Sequence, residues 1–224
     1  MMIEDVIVAS RRSVWLALCA LVGLLAAGQA QAQRFSADLV LTQGSAASVP
    51  AGRLFVLDDK VRIETPELAD GFFLIDGAKP AAYFVRPATR IYMDARQSSR
   101  LTSLFVPVDP DDPCRQWQAM ARLAGGADNG DWRCERISQE AVGGGEAIAY
   151  RAFSAERERF TGWIDRLRKF PVQIKTDDGA IFAVENIRDN AHPAQPLEIP
   201  SGFRKFDPEG LIQRIKQSDV WVAP

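Results

Sequence analysis

From residue 35 onward the chain is a succession of short segments in which apolar and polar residues alternate, with turn residues between them. That period of two commits it to antiparallel strands joined by tight connections. The first segment, 35–42, sets Phe35, Ala37, Leu39 and Leu41 on one face and Ser36, Asp38 and Thr42 on the other. Residues 53–57, the pair Asp58-Asp59 and residues 60–65 read as a hairpin with Val61 and Ile63 inward and Arg62 and Glu64 outward. Residues 72–75 turn at Asp76-Gly77 into 81–86, and the Pro87-Ala88 link returns the chain through 90–94, which makes five or six consecutive strands. Phe72-Phe73-Leu74-Ile75 and Tyr83-Phe84-Val85 are apolar on both sides, so both faces there have to be covered by helix, by another sheet or by a ligand.

The alternation stops at residues 109–113, where Asp112 is placed to cap a helix whose first residue is Pro113. Trp117, Met120, Ala121 and Ala124 follow at helical spacing and define one apolar face, which packs against the sheet, and Gly125-Gly126 ends the helix. Strands then resume over about 131–140, 146–154, 159–165, 170–176, 180–188 and 197–206, with turns at Gly143-Gly144-Gly145 and Asp178-Gly179. A last helix is expected from Pro208, capped by Asp207, with Leu211, Ile212 and Ile215 on its buried side.

Ahead of the first strand, residues 14–27 form an apolar run of 14, preceded by Arg11 and Arg12 and followed by the small-x-small triplet Ala30, Gln31, Ala32. This is the pattern of a secretory signal cleaved after Ala32, and the run is short of the ~20 residues that cross a bilayer. The domain expectation is therefore a cleaved signal over 1–32 and one domain over 33–224 with no transmembrane segment, exported to the periplasm. Removing the signal takes Cys19 with it and leaves Cys114 and Cys134, an expected disulfide in an oxidising compartment that ties down a helical insertion near 109–134.

Little in the chain supports chemistry. The 27 basic and 29 acidic residues give a net charge of −2, which offers no bulk basic field for nucleic acid. A single histidine, His192, has no recognisable relay partner, and no serine stands in a nucleophile elbow. The acidic pairs Asp58-Asp59, Asp111-Asp112 and Asp177-Asp178 sit in expected turns or caps, and the triple glycine lacks the partners of a phosphate loop. No catalytic residue, metal site or cofactor is assigned. Arg151, Arg157, Arg159, Arg166, Arg168 and Lys169, interleaved with Phe153, Phe160 and Trp163, are the one local excess of charge, and Glu156, Glu158 and Asp165 mixed among them favour a solvated strand face over a docking patch.

The order Phe35-Ser36-Ala37-Asp38, Gly52-Arg53-Leu54-Phe55, Lys60-Val61-Arg62-Ile63-Glu64 and Asp76-Gly77 behind a signal resembles the opening of the LolA/LolB lipoprotein-carrier superfamily. Trp163-Ile164-Asp165, Phe170-Pro171-Val172, Glu185-Asn186-Ile187 and Ile199-Pro200-Ser201-Gly202-Phe203 resemble the closing strands of periplasmic relatives in it. The resemblance implies a mainly β (α+β) fold: a single curved antiparallel sheet forming an unclosed half-barrel, with helices covering its concave side. It also implies a non-enzymatic protein binding a hydrophobic ligand, a lipid or lipoprotein acyl chain, in that concavity. The alternation nominates Leu39, Leu41, Val61, Ile63, Phe73, Ile75, Tyr83, Val85, Ile91 and Met93 as its lining, with Trp117 and Met120 as plugs. The alternative is an envelope interaction or sensor module whose concavity is self-filled and which binds a partner protein, for example through residues 157–169. The Arg-Pro that carriers place after the early strand is Asp58-Asp59-Lys60 here, so the carriers' gating arginine has no counterpart.

Overall fold

Alternating residues produce strands wherever a turn residue lets the chain reverse. The computed structural model describes residues 33–95, 99–124, 131–155, 157–189 and 197–217; the apolar run, Cys19, Gly125-Gly126 and His192 lie outside the described residues. The chain divides into two units, Met1–Ala32 and Gln33–Pro224, and the second holds all the described residues. Its first half holds β1 (Arg34–Gln43), β2 (Val49–Leu57), β3 (Lys60–Glu64), β4 (Phe72–Asp76), β5 (Ala81–Arg86) and β6 (Ile91–Asp94), with single 3-10 turns at Pro66–Leu68 and Pro87–Thr89. Two helices follow, α1 (Leu101–Leu104) and α2 (Pro113–Leu123). Then come β7 (Trp132–Val142), β8 (Gly145–Ser154), β9 (Arg157–Asp165), β10 (Phe170–Thr176), β11 (Ala180–Asp189), β12 (Arg204–Lys205) and α3 (Pro208–Gln217).

The 12 described strands form one unclosed curved sheet in the order β12-β6-β5-β4-β3-β2-β1-β11-β10-β9-β8-β7. Two antiparallel meanders, β1–β6 and β7–β11, are joined where β1 pairs with β11, and β12 returns to lie parallel to β6. This is the mainly β half-barrel class that the family resemblance implies. Asp58 turns the β2–β3 hairpin with φ of 52°, a left-handed conformation that Asp tolerates better than most residues. At Gly52 the backbone of β2 crosses so close to β3 that any Cβ would run into the Glu64 carbonyl oxygen.

Register assigns the faces. Ile63 pairs with Phe73, Phe73 with Phe84 and Phe84 with Met93, so these four share the face on which α1 and α2 pack. Phe72 pairs with Val85 and Leu74 with Tyr83, on the opposite face. There they form a second cluster with Tyr92, Ile199 and Phe203. The two-sided apolar strands are thus covered by helix on one side and by the C-terminal segment on the other.

Several expectations are corrected. Tyr83 and Val85 point away from the helices, because β5 is apolar on both faces and its pairing, rather than its composition, decides which residues face inward. Residues 197–206 are not a strand beyond Arg204–Lys205; Leu197, Ile199 and Phe203 lie against a sheet face, and Pro200 cannot donate to a ladder. The one-turn helix α1 has too few residues to show a period and goes unread in the sequence. Asp112 occupies the N-cap position of α2 without a side-chain capping bond. Asp207 does cap α3, accepting from the Gly210 N–H at 3.0 Å, but Leu211 and Ile212 are exposed rather than buried.

Candidate functional site

The helix-covered face is filled by the chain itself. Leu39, Val61, Ile63, Phe73, Ile75, Trp117 and Met120 are each at most 2% exposed, packed with Leu101, Leu104, Phe105 and Val106. Leu41, Ile91 and Met93 are half-buried. The plug is held at several points. The Trp117 indole N–H donates to the Leu104 carbonyl at 3.1 Å, and its ring meets Phe160 edge-on with centroids 4.8 Å apart. Gly162 beneath it has no side chain to obstruct the indole; a Cβ there would lie 2.7 Å from Trp117 Cη2. Gln116 donates to the Gly77 carbonyl at 2.7 Å, and the buried Tyr150 hydroxyl donates to that of Pro110 at 2.6 Å. Cys114 and Cys134 join α2 to β7. Cavities of about 210 and 220 Å³ remain, the first reached by Ala82, Met120 and Leu123, the second by Leu104, Ala121 and Phe160.

A larger cleft, about 880 Å³, opens on the opposite face between β1, β2, β3 and the two 3-10 turns. Arg62 is its buried cation, with a side chain only 7% exposed. Its Nε and Nη2 donate to Glu64 Oε1 at 2.9 and 2.6 Å, and its guanidinium carbon sits 3.6 Å from the centroid of the Phe72 ring. Asp38 accepts from Asn186 at 3.0 Å and lies 3.6 Å from Arg53 and 3.9 Å from Arg188, while Asp70 pairs with Arg86. Sequence reasoning treats Arg62 and Glu64 as ordinary outward residues and overlooks this cleft. Its walls come from segments as far apart as Asp38 and Asn186, and no local pattern joins them.

Two members of the basic cluster of 151–169, Arg151 and Arg168, are paired in place. Arg168 bonds Asp165 at 2.6 Å and Asp189 at 2.9 Å, and these hydrogen bonds, Asp189 first, hold its guanidinium above its ordinary pKa. Arg151 lies 3.4 Å from Glu158. At the β9–β10 turn, however, Leu167 is 90% exposed between Arg166 and Arg168. Among the described residues no group of three His, Cys, Asp or Glu is placed to hold a metal ion, and no helix is long and apolar enough to cross a membrane.

No protein-family model matches the sequence, and no curated protein does. Among solved structures the chain is similar to PNGF-II (TM-score 0.47, 4% identity, 82% of this chain and 33% of that one). It is also similar to MucB (TM-score 0.36, 16% identity, 78% and 59%). A third likeness is to the MucA/MucB complex of Pseudomonas aeruginosa (TM-score 0.37, 14% identity, 74% and 54%). The chain spans about a third of PNGF-II and a little over half of the MucB chains.

Proposed function

We propose that the protein is a non-enzymatic binding module of the cell envelope, exported to the periplasm, which keeps its helix-covered face filled and meets a partner protein through the side of the sheet formed by β7–β10. The observation that carries this reading is the seating of α2, where Trp117 is 1% exposed, hydrogen-bonded and close against Gly162. Beyond the cavities of about 210 and 220 Å³ beside α2, a face filled in this way has no room for a guest unless α2 leaves. The exposed Leu167 beside Arg166 at one end of β9 and the exposed Arg157 at its other end mark the two limits of that surface.

Site-specific photo-crosslinking in the periplasm tests the reading, with the crosslinker at Leu167 or Arg157 and a control at Asp58. One discrete adduct from the first two sites, lost when Arg157 and Arg159 become Glu, is the expected result. A protein recovered with a stoichiometric lipid that Ile63→Asp abolishes would overturn it.

That outcome would instead favour the second reading, a hydrophobic ligand or lipoprotein acyl chain on the helix-covered face, with Leu39, Leu41, Val61, Ile63, Phe73, Ile75 and Met93 as its bed. The two cavities beside α2 support this alternative, since they are where an acyl chain would begin to lift the helix.

A further inference from the structure

On the face that the helices leave uncovered, a buried cation is short of one acceptor. Of the Arg62 nitrogens, Nε and Nη2 are satisfied by Glu64, whereas Nη1 is buried with no hydrogen-bond partner. Three residues along the same wall, the Thr65 hydroxyl is also buried and unpartnered, and it does not cap the 3-10 turn that it precedes. Buried polar groups without partners are rare in folded proteins, and each costs about 1–3 kcal/mol, more when charged. Two donors left over in one wall of one cleft call for an acceptor from outside the chain.

Glu64, Asp38 and Asp70 are each already engaged, by Arg62, by Arg53 and Arg188, and by Arg86. Of these groups Asp38, Glu64, Asp70, Arg53 and Arg62 line the cleft, and with every one of these carboxylates engaged Arg62 Nη1 is the charged donor left without an acceptor. The rest of the wall is apolar, with Val40, Pro50, Pro66, Phe72 and Pro87 contributing. Two unpartnered donors at one end, one of them on a guanidinium, with apolar walls beyond, suit the acceptor head and apolar body of an amphipathic acid, and a cleft of about 880 Å³ falls within the ~300–1,000 Å³ of small-molecule sites.

We infer that this cleft binds a small amphipathic acid, whose carboxylate or phosphate head takes Arg62 Nη1 and the Thr65 hydroxyl and whose apolar body lies along Val40, Pro50, Phe72 and Pro87. Both donor atoms are buried, so uptake is accompanied by rotation of lining side chains, a change common at binding sites. The site is separate from the partner surface and from the helix-covered face, and it stands whichever reading of those is right.

Calorimetric titration of the mature chain with decanoate, decyl phosphate, 1-decanol and acetate tests the inference. One equivalent of decanoate or decyl phosphate is expected to bind, the tighter of the two naming the head group. The uncharged decanol should bind at least tenfold more weakly, and acetate should give no measurable heat. Arg62→Gln should weaken the acid at least tenfold and bring it level with decanol. Should that variant fail to fold, Ala88→Trp decides, because Ala88 is an exposed cleft residue outside the buried pair, and its replacement fills the space without removing a charge. Failure of both acids to bind the folded protein, equal affinity for decanol, or undiminished binding to Ala88→Trp would each overturn the assignment.

Discussion

At position 162 a hydrogen in place of a methyl group is what lets the Trp117 ring lie against the sheet. A Cβ there would come within 2.7 Å of Trp117 Cη2 and 3.1 Å of Ile174 Cδ1, too close for either to stay. Gly162→Ala is therefore expected to cost about 1–3 kcal/mol through overpacking. Urea denaturation measures the loss, and Trp117→Phe in the same background should return part of it. Tyr150 makes a different kind of contribution. Its hydroxyl donates to Pro110, and burial raises its pKa above the ordinary 10.0, with Asp111 and Asp109 adding to the effect and Arg136 and Arg166 opposing it. A raised folded value means that the stabilisation is complete below about pH 10 and is lost as pH climbs through the folded pKa. Tyr150→Phe should then cost about 1 kcal/mol at neutral pH. It should also flatten the alkaline fall in stability seen by denaturant titration at a series of pH values.

Among the elements, those bounded by strong turns and built on one period are the ones the sequence discloses. Strands β5 and β10 run over 81–86 and 170–176 as the pattern indicates, because a turn closes each and nothing in them competes. Where a strand is apolar on both faces the same signal loses its sign, and Tyr83 and Val85 go to the wrong side. Apolar residues that lie flat on a sheet, as Ile199 and Phe203 do, mimic a strand without pairing. The cleft was not legible at all, since Arg62 is buried by Phe72 and by the turn after β3, neither of which its own alternation specifies. Helix α3 shows the reverse dependence. With Leu211 and Ile212 exposed it gains little from packing, so its Asp207 cap matters more. Asp207→Ala is expected to cost about 1 kcal/mol, visible as amide exchange in 208–217 about fivefold faster.

In the described unit as a whole, two meanders share one sheet, and the covalent link between Cys114 and Cys134, 20 positions apart, fastens its far edge to the helical plug. Replacing both cysteines by serine should cost about 3 kcal/mol on the loop-entropy account, measured as a lower urea midpoint with the slope unchanged. The position of that link has a consequence for how the protein behaves in company. Among the described strands β7 has a neighbour on one side only, β8, and over its 11 residues it presents the open row of amides and carbonyls that invites another chain to pair. Its charged side chains discourage such pairing, and the bridge keeps the strand from shifting to meet a guest. Oxidation of one thiol pair thus acts as a guard on solubility. In reductant the protein should scatter light and form dimers and larger species at concentrations where the oxidised form stays monodisperse, with β7 the segment whose amide exchange changes first.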